Sequence, residues 1–201
     1  MLGNGVKLWG FQSGGAIDRG AVDVDGVAGI VSQAGDVLFL DPRSGVLYGR
    51  QSMFRGIENS PVAGGGAMYV ASLDQSIYAF EPTGRVRWRF RTEHSLTAQP
   101  TFHDGALYCE IPTMGLVCLD AASGQQRWAS GQAEGTVVAQ RNGMLVVFAG
   151  RETMLVDPAD GTIVAREAIP GVQRLVAEDF VDGALYAVSS GGSVSRLIAR
   201  R

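Results

Sequence analysis

The chain repeats itself with a period of about 40 residues, and an internal repeat of this kind restricts the fold more than any single motif does. One landmark is a glycine that precedes a short apolar stretch, and it stands at Gly26, Gly65, Gly105, Gly143 and Gly183. A second landmark is the glycine of a later turn, at Gly5, Gly45, Gly84, Gly124 and Gly161. Because two independent landmarks show the same period, the repeat extends over nearly all of the 201 residues.

Each repeat contains short stretches in which apolar and polar residues alternate, with glycine-containing turns between them. In the third repeat, a turn at 103–105 leads into Ala106–Ile111, and a turn at 120–124 leads into 125–130. Alternation with a period of two predicts strands, and short glycine turns between strands predict hairpins. Four antiparallel strands in about 40 residues are typical of one β-propeller blade. The sequence therefore predicts an all-β propeller.

The turn before the last strand of a repeat carries a recognisable motif. Residues 118–128 read Cys-Leu-Asp-Ala-Ala-Ser-Gly-Gln-Gln-Arg-Trp, residues 79–88 match them with one residue deleted, and residues 5–9 match their end. This pattern resembles the tryptophan-docking motif of the quinoprotein (PQQ-like) propeller repeats. Gly49 and Ala165 stand at the tryptophan position of the other two repeats. The structural motif residues are Gly5, Trp9, Gly84, Trp88, Gly124 and Trp128.

The two ends of the sequence complement each other, which predicts how the propeller closes. The chain begins with the end of a fourth strand, and its last repeat contains only three strands. We therefore predict one domain, 1–201, with five blades closed by the N-terminal strand, because a completed blade leaves no unpaired sheet edge. The predicted blades are 17–52, 57–92, 96–131, 135–169, and 173–201 together with 4–11. The alternative is a segment of a larger quinoprotein-like propeller with seven or eight blades.

Charge and hydropathy exclude several classes of partner. The chain has 17 basic and 20 acidic residues, so its net charge of -3 does not provide the positive field that phosphate backbones require. No apolar run reaches the roughly 18 residues of a membrane span, and residues 1–10 lack the features of a signal peptide. We expect no nucleic-acid partner and no membrane insertion. The sequence as given predicts a cytoplasmic protein, or a periplasmic one if it is a processed or truncated form.

The function that the resemblance first suggests is that of a quinone-dependent dehydrogenase. Those enzymes resemble one another in having a bound calcium with Asp, Glu and Asn ligands, a catalytic Asp and often a disulfide between adjacent cysteines. Here Cys109 and Cys118 are nine residues apart, and His94 and His103 fall in different connections. We predict no cofactor, no metal site and no catalytic residue, and judge the chain not to be an enzyme.

The two cysteines lie on neighbouring strands of one hairpin. Aligning them with the second repeat, in a register that pairs Val70 with Ala79, places them opposite each other. This leaves two interpretations, a cross-strand disulfide or two buried free thiols, and buried free thiols are the commoner case.

The remaining candidates point to binding of another protein. Arg85, Arg87, Arg89 and Arg91 alternate along one predicted strand, so their side chains share one face, called here the arginine stripe. The stripe either binds an acidic partner or is a solvated outer face. Charged residues of both signs also fall in the connections that lead to first and third strands. These residues are Arg55, Glu58, Glu93, His94, Glu134, Arg151, Glu152 and Arg174.

The function that we predict is a non-catalytic scaffold for protein–protein interaction, a component of a multi-protein bacterial assembly. The alternative is binding of a small molecule or carbohydrate at the mouth of the propeller channel.

Overall fold

The computed structural model describes residues 6–198, and within this range it contains nineteen β-strands and no helix. The strands fall into five consecutive groups, one for each repeat. The first is β1 (Val22–Val24), β2 (Val27–Val31), β3 (Asp36–Leu40) and β4 (Leu47–Ser52). The second is β5 (Val62–Gly64), β6 (Ala67–Ser72), β7 (Ser76–Phe80) and β8 (Val86–Arg91). The third is β9 (Thr101–His103), β10 (Ala106–Ile111), β11 (Gly115–Asp120) and β12 (Gln126–Ser130). The fourth is β13 (Thr136–Arg141), β14 (Met144–Phe148), β15 (Glu152–Val156) and β16 (Ile163–Ala168). The fifth is β17 (Val172–Ala177), β18 (Leu185–Ser189) and β19 (Val194–Leu197).

Each group forms one antiparallel sheet in which consecutive strands are neighbours. Four sheets have four strands and the fifth has three, which is the architecture of a β-propeller with about five blades. The all-β propeller that the repeat predicts is therefore confirmed.

In each of the first four repeats, the landmark glycine lies in the turn between the two strands of the first hairpin. Asn142 and Gly143, for example, both have positive φ, 49° and 80°, and connect β13 to β14. Two consecutive residues in this conformation form the tight turn whose twist matches that of the flanking strands. The landmark glycine therefore stands where the turn requires a residue with positive φ.

A second recurrent feature is a bulge in the pairing of the third strand with the fourth. The register shifts at Phe39/Leu40, Ala79/Phe80, Cys118/Leu119 and Leu155/Val156, the same place in four sheets. A bulge twists a strand locally and changes the direction of its side chains. The residue paired just before this shift is Gly49, Trp88, Trp128 or Ala165.

Residue contacts divide the chain into two compact units. The first contains the described residues up to 105 together with 121–124, and the second contains 106–120 and the described residues from 125 onward. One buried cluster of the first unit is Val24, Val31, Val37, Phe39, Met53, Ile57, Met68, Val70, Tyr78 and Phe80. Two further clusters lie in the second unit. The larger is Ala106, Tyr108, Leu116, Cys118, Trp128, Ala133, Val137, Leu145, Val147, Met154 and Val156, and the smaller is Ala139, Val146, Leu175, Leu185 and Ala187.

The predicted N-terminal strand does not form where the structure describes the chain. Residues 6–21 contain no strand, and residues 4 and 5 of the predicted segment lie outside the described residues, as do residues 199–201 of the last predicted blade. The closure of the propeller by this segment and the single-domain organisation stay predictions.

Candidate functional site

The three tryptophans of the sequence motif dock on turns of the β3–β4 type. Trp128 donates a hydrogen bond from Nε1 to the carbonyl of Pro158 at 2.8 Å. Its ring lies against Gly161, where a Cβ atom would come within 2.6 Å of Cε3, so only glycine fits. Tyr108 packs beside the indole with ring centroids 6.0 Å apart. The motif at this place stabilises the packing of one sheet on the next.

The same contacts recur twice in the first unit. Trp88 donates to the carbonyl of Ala121 at 2.9 Å and packs on Gly124, and the Tyr69 ring lies 5.8 Å from it. Trp9 donates to the carbonyl of Pro42 at 3.1 Å and packs on Gly45. Gly84 lies against the backbone of β4, where Gly49 replaces a tryptophan. Gly5 lies outside the described residues. These contacts agree with the structural role that the resemblance implies for the motif, which stays a prediction.

The first half of the arginine stripe is occupied within the chain. Arg85 donates from Nε and Nη2 to both carboxylate oxygens of Glu81 at 2.9 and 2.8 Å, which lowers the pKa of Glu81 below its ordinary value. Arg87 donates to the carbonyls of Gly65 and Gly66 at 3.1 and 2.8 Å. These two guanidinium groups already have partners in their own sheet.

In the second half of the arginine stripe, one side chain has a hydrogen-bond partner within the described residues and the other has none. Arg89 donates to the hydroxyl of Ser76 at 2.9 Å, and its guanidinium carbon lies 4.9 Å from the centre of the Tyr78 ring. Arg91 is exposed, and within residues 6–198 its side chain has no hydrogen bond or ion pair. Binding of a partner to the stripe therefore stays a prediction, and Arg91 is its one side chain without an intramolecular partner in the described chain.

Three connections of the first unit form a continuous surface. They join β4 to β5, β6 to β7 and β8 to β9, and are called here the loop surface. The Leu73 amide donates to the carbonyl of Gly56 at 3.0 Å, and the Leu73 carbonyl accepts from the Ser95 hydroxyl at 2.8 Å. These hydrogen bonds hold the three connections together.

The loop surface carries four of the predicted residues and one that the sequence analysis missed. The four are exposed, and none has a side-chain hydrogen bond or ion pair within the described residues; they are Arg55, Glu58, Glu93 and His94. Phe54 is 89% exposed. The backbone beside Phe54 is held in place, because the Met53 amide donates a hydrogen bond to the Gly35 carbonyl at 2.9 Å. Phe54 lies in the connection after β4, and a large apolar residue in a connection between strands could have indicated this exposed aromatic ring.

The other predicted loop residues belong to the second unit. Glu134, Arg151 and Arg174 are exposed and, as far as the structure describes the chain, have no side-chain partner. Glu152 differs, because its carboxylate accepts a hydrogen bond from Arg166 at 3.1 Å. The predicted loop residues thus belong to both units, four to the first and four to the second.

The predicted cysteine pairing is wrong by one residue. Cys109 pairs with Val117, and Cys118 pairs with Tyr108, just as Val70 pairs with Tyr78 and not with Ala79. A register shift of one residue turns a side chain to the opposite face of the sheet, so the two thiols face opposite sides. Both are free and buried, and burial raises the pKa of Cys118 to about 11.

The predicted absence of a metal site concerns the side chains that could bind an ion. No group of three His, Cys, Asp or Glu side chains within residues 6–198 is placed to bind a metal ion. His94 lies in a connection and His103 ends β9. No described helix is long and apolar enough to cross a membrane. We derive no chemical step through a quinone–calcium cofactor.

The chain matches a known protein family over nearly its whole length. A family model described as outer membrane protein assembly factor BamB matches residues 3–135 and again residues 33–200. The chain belongs to this family of PQQ-like β-propeller repeats. A search of curated protein sequences finds no match.

Solved structures share the fold at low sequence identity. The computationally designed Ika8 protein is 14% identical, with a TM-score of 0.71 over 88% of this chain and 56% of its own. The quinohemoprotein alcohol dehydrogenase ADHIIG from Pseudomonas putida HK5 is 16% identical, with a TM-score of 0.64 over 92% of this chain and 43% of its own. The chain spans about half the length of these proteins. At such identities the likeness concerns the fold and not the activity.

Proposed function

We propose that this chain is a non-catalytic scaffold in a multi-protein bacterial assembly and that it binds a protein partner through the loop surface. The observation that carries the proposal is Phe54, an exposed aromatic ring beside the unpaired charge of Arg55. Phenylalanine and arginine are both enriched in protein interfaces relative to the rest of the protein surface. The family description, which concerns assembly of outer membrane proteins, supports the same class of function.

The backbone under Phe54 favours binding over simple exposure. The Ser72 hydroxyl lies 3.1 Å from the carbonyl of Arg55 and 3.2 Å from that of Gly56, and the Gly35 carbonyl accepts the Met53 amide. A loop whose backbone is already hydrogen-bonded loses little conformational entropy when a partner binds. Arg91 at the end of β8 and Glu58 and His94 in the connections are exposed, and such a surface of mixed charge suits a protein better than an anionic small molecule.

Site-specific photocrosslinking in the source cells tests this proposal. A photoreactive phenylalanine analogue at position 54 is expected to give one discrete adduct, identified by mass spectrometry. The same analogue at position 164, an exposed valine on β16, is the control and is expected to give none. Equal adducts at both positions, or none at position 54, would contradict the proposal.

Charge reversal provides the second arm of the experiment. Arg55→Glu is expected to abolish the adduct formed at position 54, because it reverses the charge beside the ring. Arg43→Glu makes the same charge change on the exposed turn after β3 and is expected to leave the adduct unchanged. The family description also favours the periplasmic alternative, which fractionation of the same cells checks.

A second candidate is a segment of a larger quinoprotein-like propeller. It is favoured by the length relation, because the matched structures are about twice as long as this chain. The intact mass of the native gene product distinguishes the two candidates, because only a mass above that of 201 residues agrees with the larger propeller. Binding of a small molecule or carbohydrate at the channel mouth stays a prediction.

A further inference from the structure

Two aromatic residues of the third sheet fill the space between it and the fourth sheet, and the fourth repeat has neither of them. Tyr108 and Trp128 both lie beside Cys118, Tyr108 on one neighbouring strand and Trp128 on the other. In the fourth repeat the corresponding residue, Leu155, lies between Val146 and Ala165. A tyrosine and a tryptophan are thus replaced by a valine and an alanine on the face that the fourth sheet presents to the fifth.

The fifth sheet does not compensate for this loss. Val147 and Met154 pair in the fourth sheet, where they pack against the Trp128 cluster. Their counterparts in the fifth sheet are Ala187 and Ser195, which also pair and are smaller. Each side of the interface has therefore lost volume, and large-to-small changes leave space because the surrounding structure collapses only in part.

A groove of about 460 Å³ occupies this place. Its volume lies within the roughly 300–1,000 Å³ that small-molecule sites have. The apolar side chains that line it come from both sheets and include Val146, Leu155, Ala165, Leu185, Leu197 and Ile198. In the neighbouring interface the equivalent space is filled by the indole ring of Trp128.

One charge at the groove is not neutralised. Arg141, the last residue of β13, lines the groove and donates a hydrogen bond to the carbonyl of Gly183, and no carboxylate of residues 6–198 forms an ion pair with it. Arg166 also lines the groove, but it bonds to Glu152 and to the backbone of residue 132. Glu167 of β16 also lines the groove, but its side chain is exposed and forms no ion pair with Arg141 within residues 6–198. A guanidinium without a counter-ion beside apolar walls favours a ligand with an anionic group.

We propose that this groove binds a small planar aromatic carboxylate. The ring takes the place that an indole occupies in the neighbouring interface, between Ala165 on one sheet and Leu185 and Leu197 on the other. The carboxylate accepts hydrogen bonds from Arg141. This site belongs to the second unit alone and is independent of the proposed scaffold function, since the loop surface belongs to the first unit.

The test measures binding of 2-naphthoate to the full chain by NMR titration. Saturable one-to-one binding is expected, with shifts confined to the residues that line the groove, including Arg141. Ala165→Trp fills the groove and is expected to weaken the affinity at least tenfold. Val164→Trp adds the same side chain at an exposed neighbour that does not line the groove, and is expected to leave the affinity unchanged.

A second comparison tests the charge. Neutral 2-naphthamide is expected to bind several-fold more weakly than 2-naphthoate to the unmodified chain, and Arg141→Met is expected to remove that difference. If Ala165→Trp does not fold, Ala165→Leu takes part of the same volume and is expected to weaken binding several-fold. Equal binding to the filled variant and the control, or no saturation at millimolar 2-naphthoate, overturns the proposal.

Discussion

The fourth sheet packs differently on its two faces, although the same four strands form both. On one face its turn accepts the indole of Trp128, with a hydrogen bond to Pro158 and direct contact at Gly161. On the other face its own tryptophan position is Ala165, and a groove remains. The repeat therefore fixes the backbone, while single residues decide whether an interface is filled or open.

The largest expected effect is on the filled face. Trp128→Ala removes a mostly buried indole together with the hydrogen bond of its Nε1, and we expect the free energy of unfolding to fall by about 3–5 kcal/mol. Urea denaturation measures the loss. Ala165→Ser changes the exposed counterpart on the open face, where we expect a change within about 0.5 kcal/mol.

A milder variant separates packing from hydrogen bonding. Trp128→Phe keeps an aromatic ring but removes the donor to Pro158, and we expect a cost of about 1 kcal/mol from the hydrogen bond together with a smaller packing loss. If Trp128→Ala were as harmless as Ala165→Ser, the difference between the two faces would have no energetic meaning.

Part of this contrast could be predicted from the sequence. The glycine landmarks predict the repeat period and its turns, and the motif predicts that Trp88 and Trp128 dock while Ala165 cannot. The groove could not be predicted, because its volume depends also on Ala187 and Ser195 of another sheet. Those residues become its neighbours only when the pairing of every strand is known.

Register is the step at which sequence reasoning failed. Short apolar runs between glycine-containing turns indicate that 106–111 and 115–120 are strands, and both strands are buried along nearly their whole length. A strand buried on both faces has no polar face to fix its register, so a shift of one residue leaves the pattern unchanged. The true register separates Cys109 from Cys118 and also places Cys118 beside Trp128.

Cys118 reports on the filled face through its reactivity. The thiolate is the reactive form, and burial raises the pKa of Cys118 to about 11, so labelling at pH 8 is expected to be very slow. In a Cys109→Ala background, Trp128→Ala exposes Cys118 and is expected to raise its labelling rate by Ellman's reagent more than tenfold. Ala165→Ser is expected to leave the rate unchanged.

An unchanged rate in the Trp128→Ala variant would show that the rest of the cluster still covers the thiol. Circular dichroism of the same samples distinguishes local exposure from global unfolding, because only global unfolding removes the strand signal.

The smallest expected effect concerns the turn that receives Trp128. Asp160 accepts a hydrogen bond from the Thr162 amide at 2.9 Å, which lowers the pKa of its carboxyl below the ordinary value of 3.8. A lowered pKa in the folded state means that this contribution to stability is complete above pH 4 and is lost as the pH falls through the folded-state pKa. Asp160→Ala is therefore expected to lower the urea midpoint slightly at pH 6, and the difference from the unmodified chain is expected to shrink below pH 4. If the difference between the two urea midpoints stays constant down to pH 2, Asp160 affects the turn through its backbone conformation and not through its charge. The ionised carboxylate would then not contribute to the stability of the filled face.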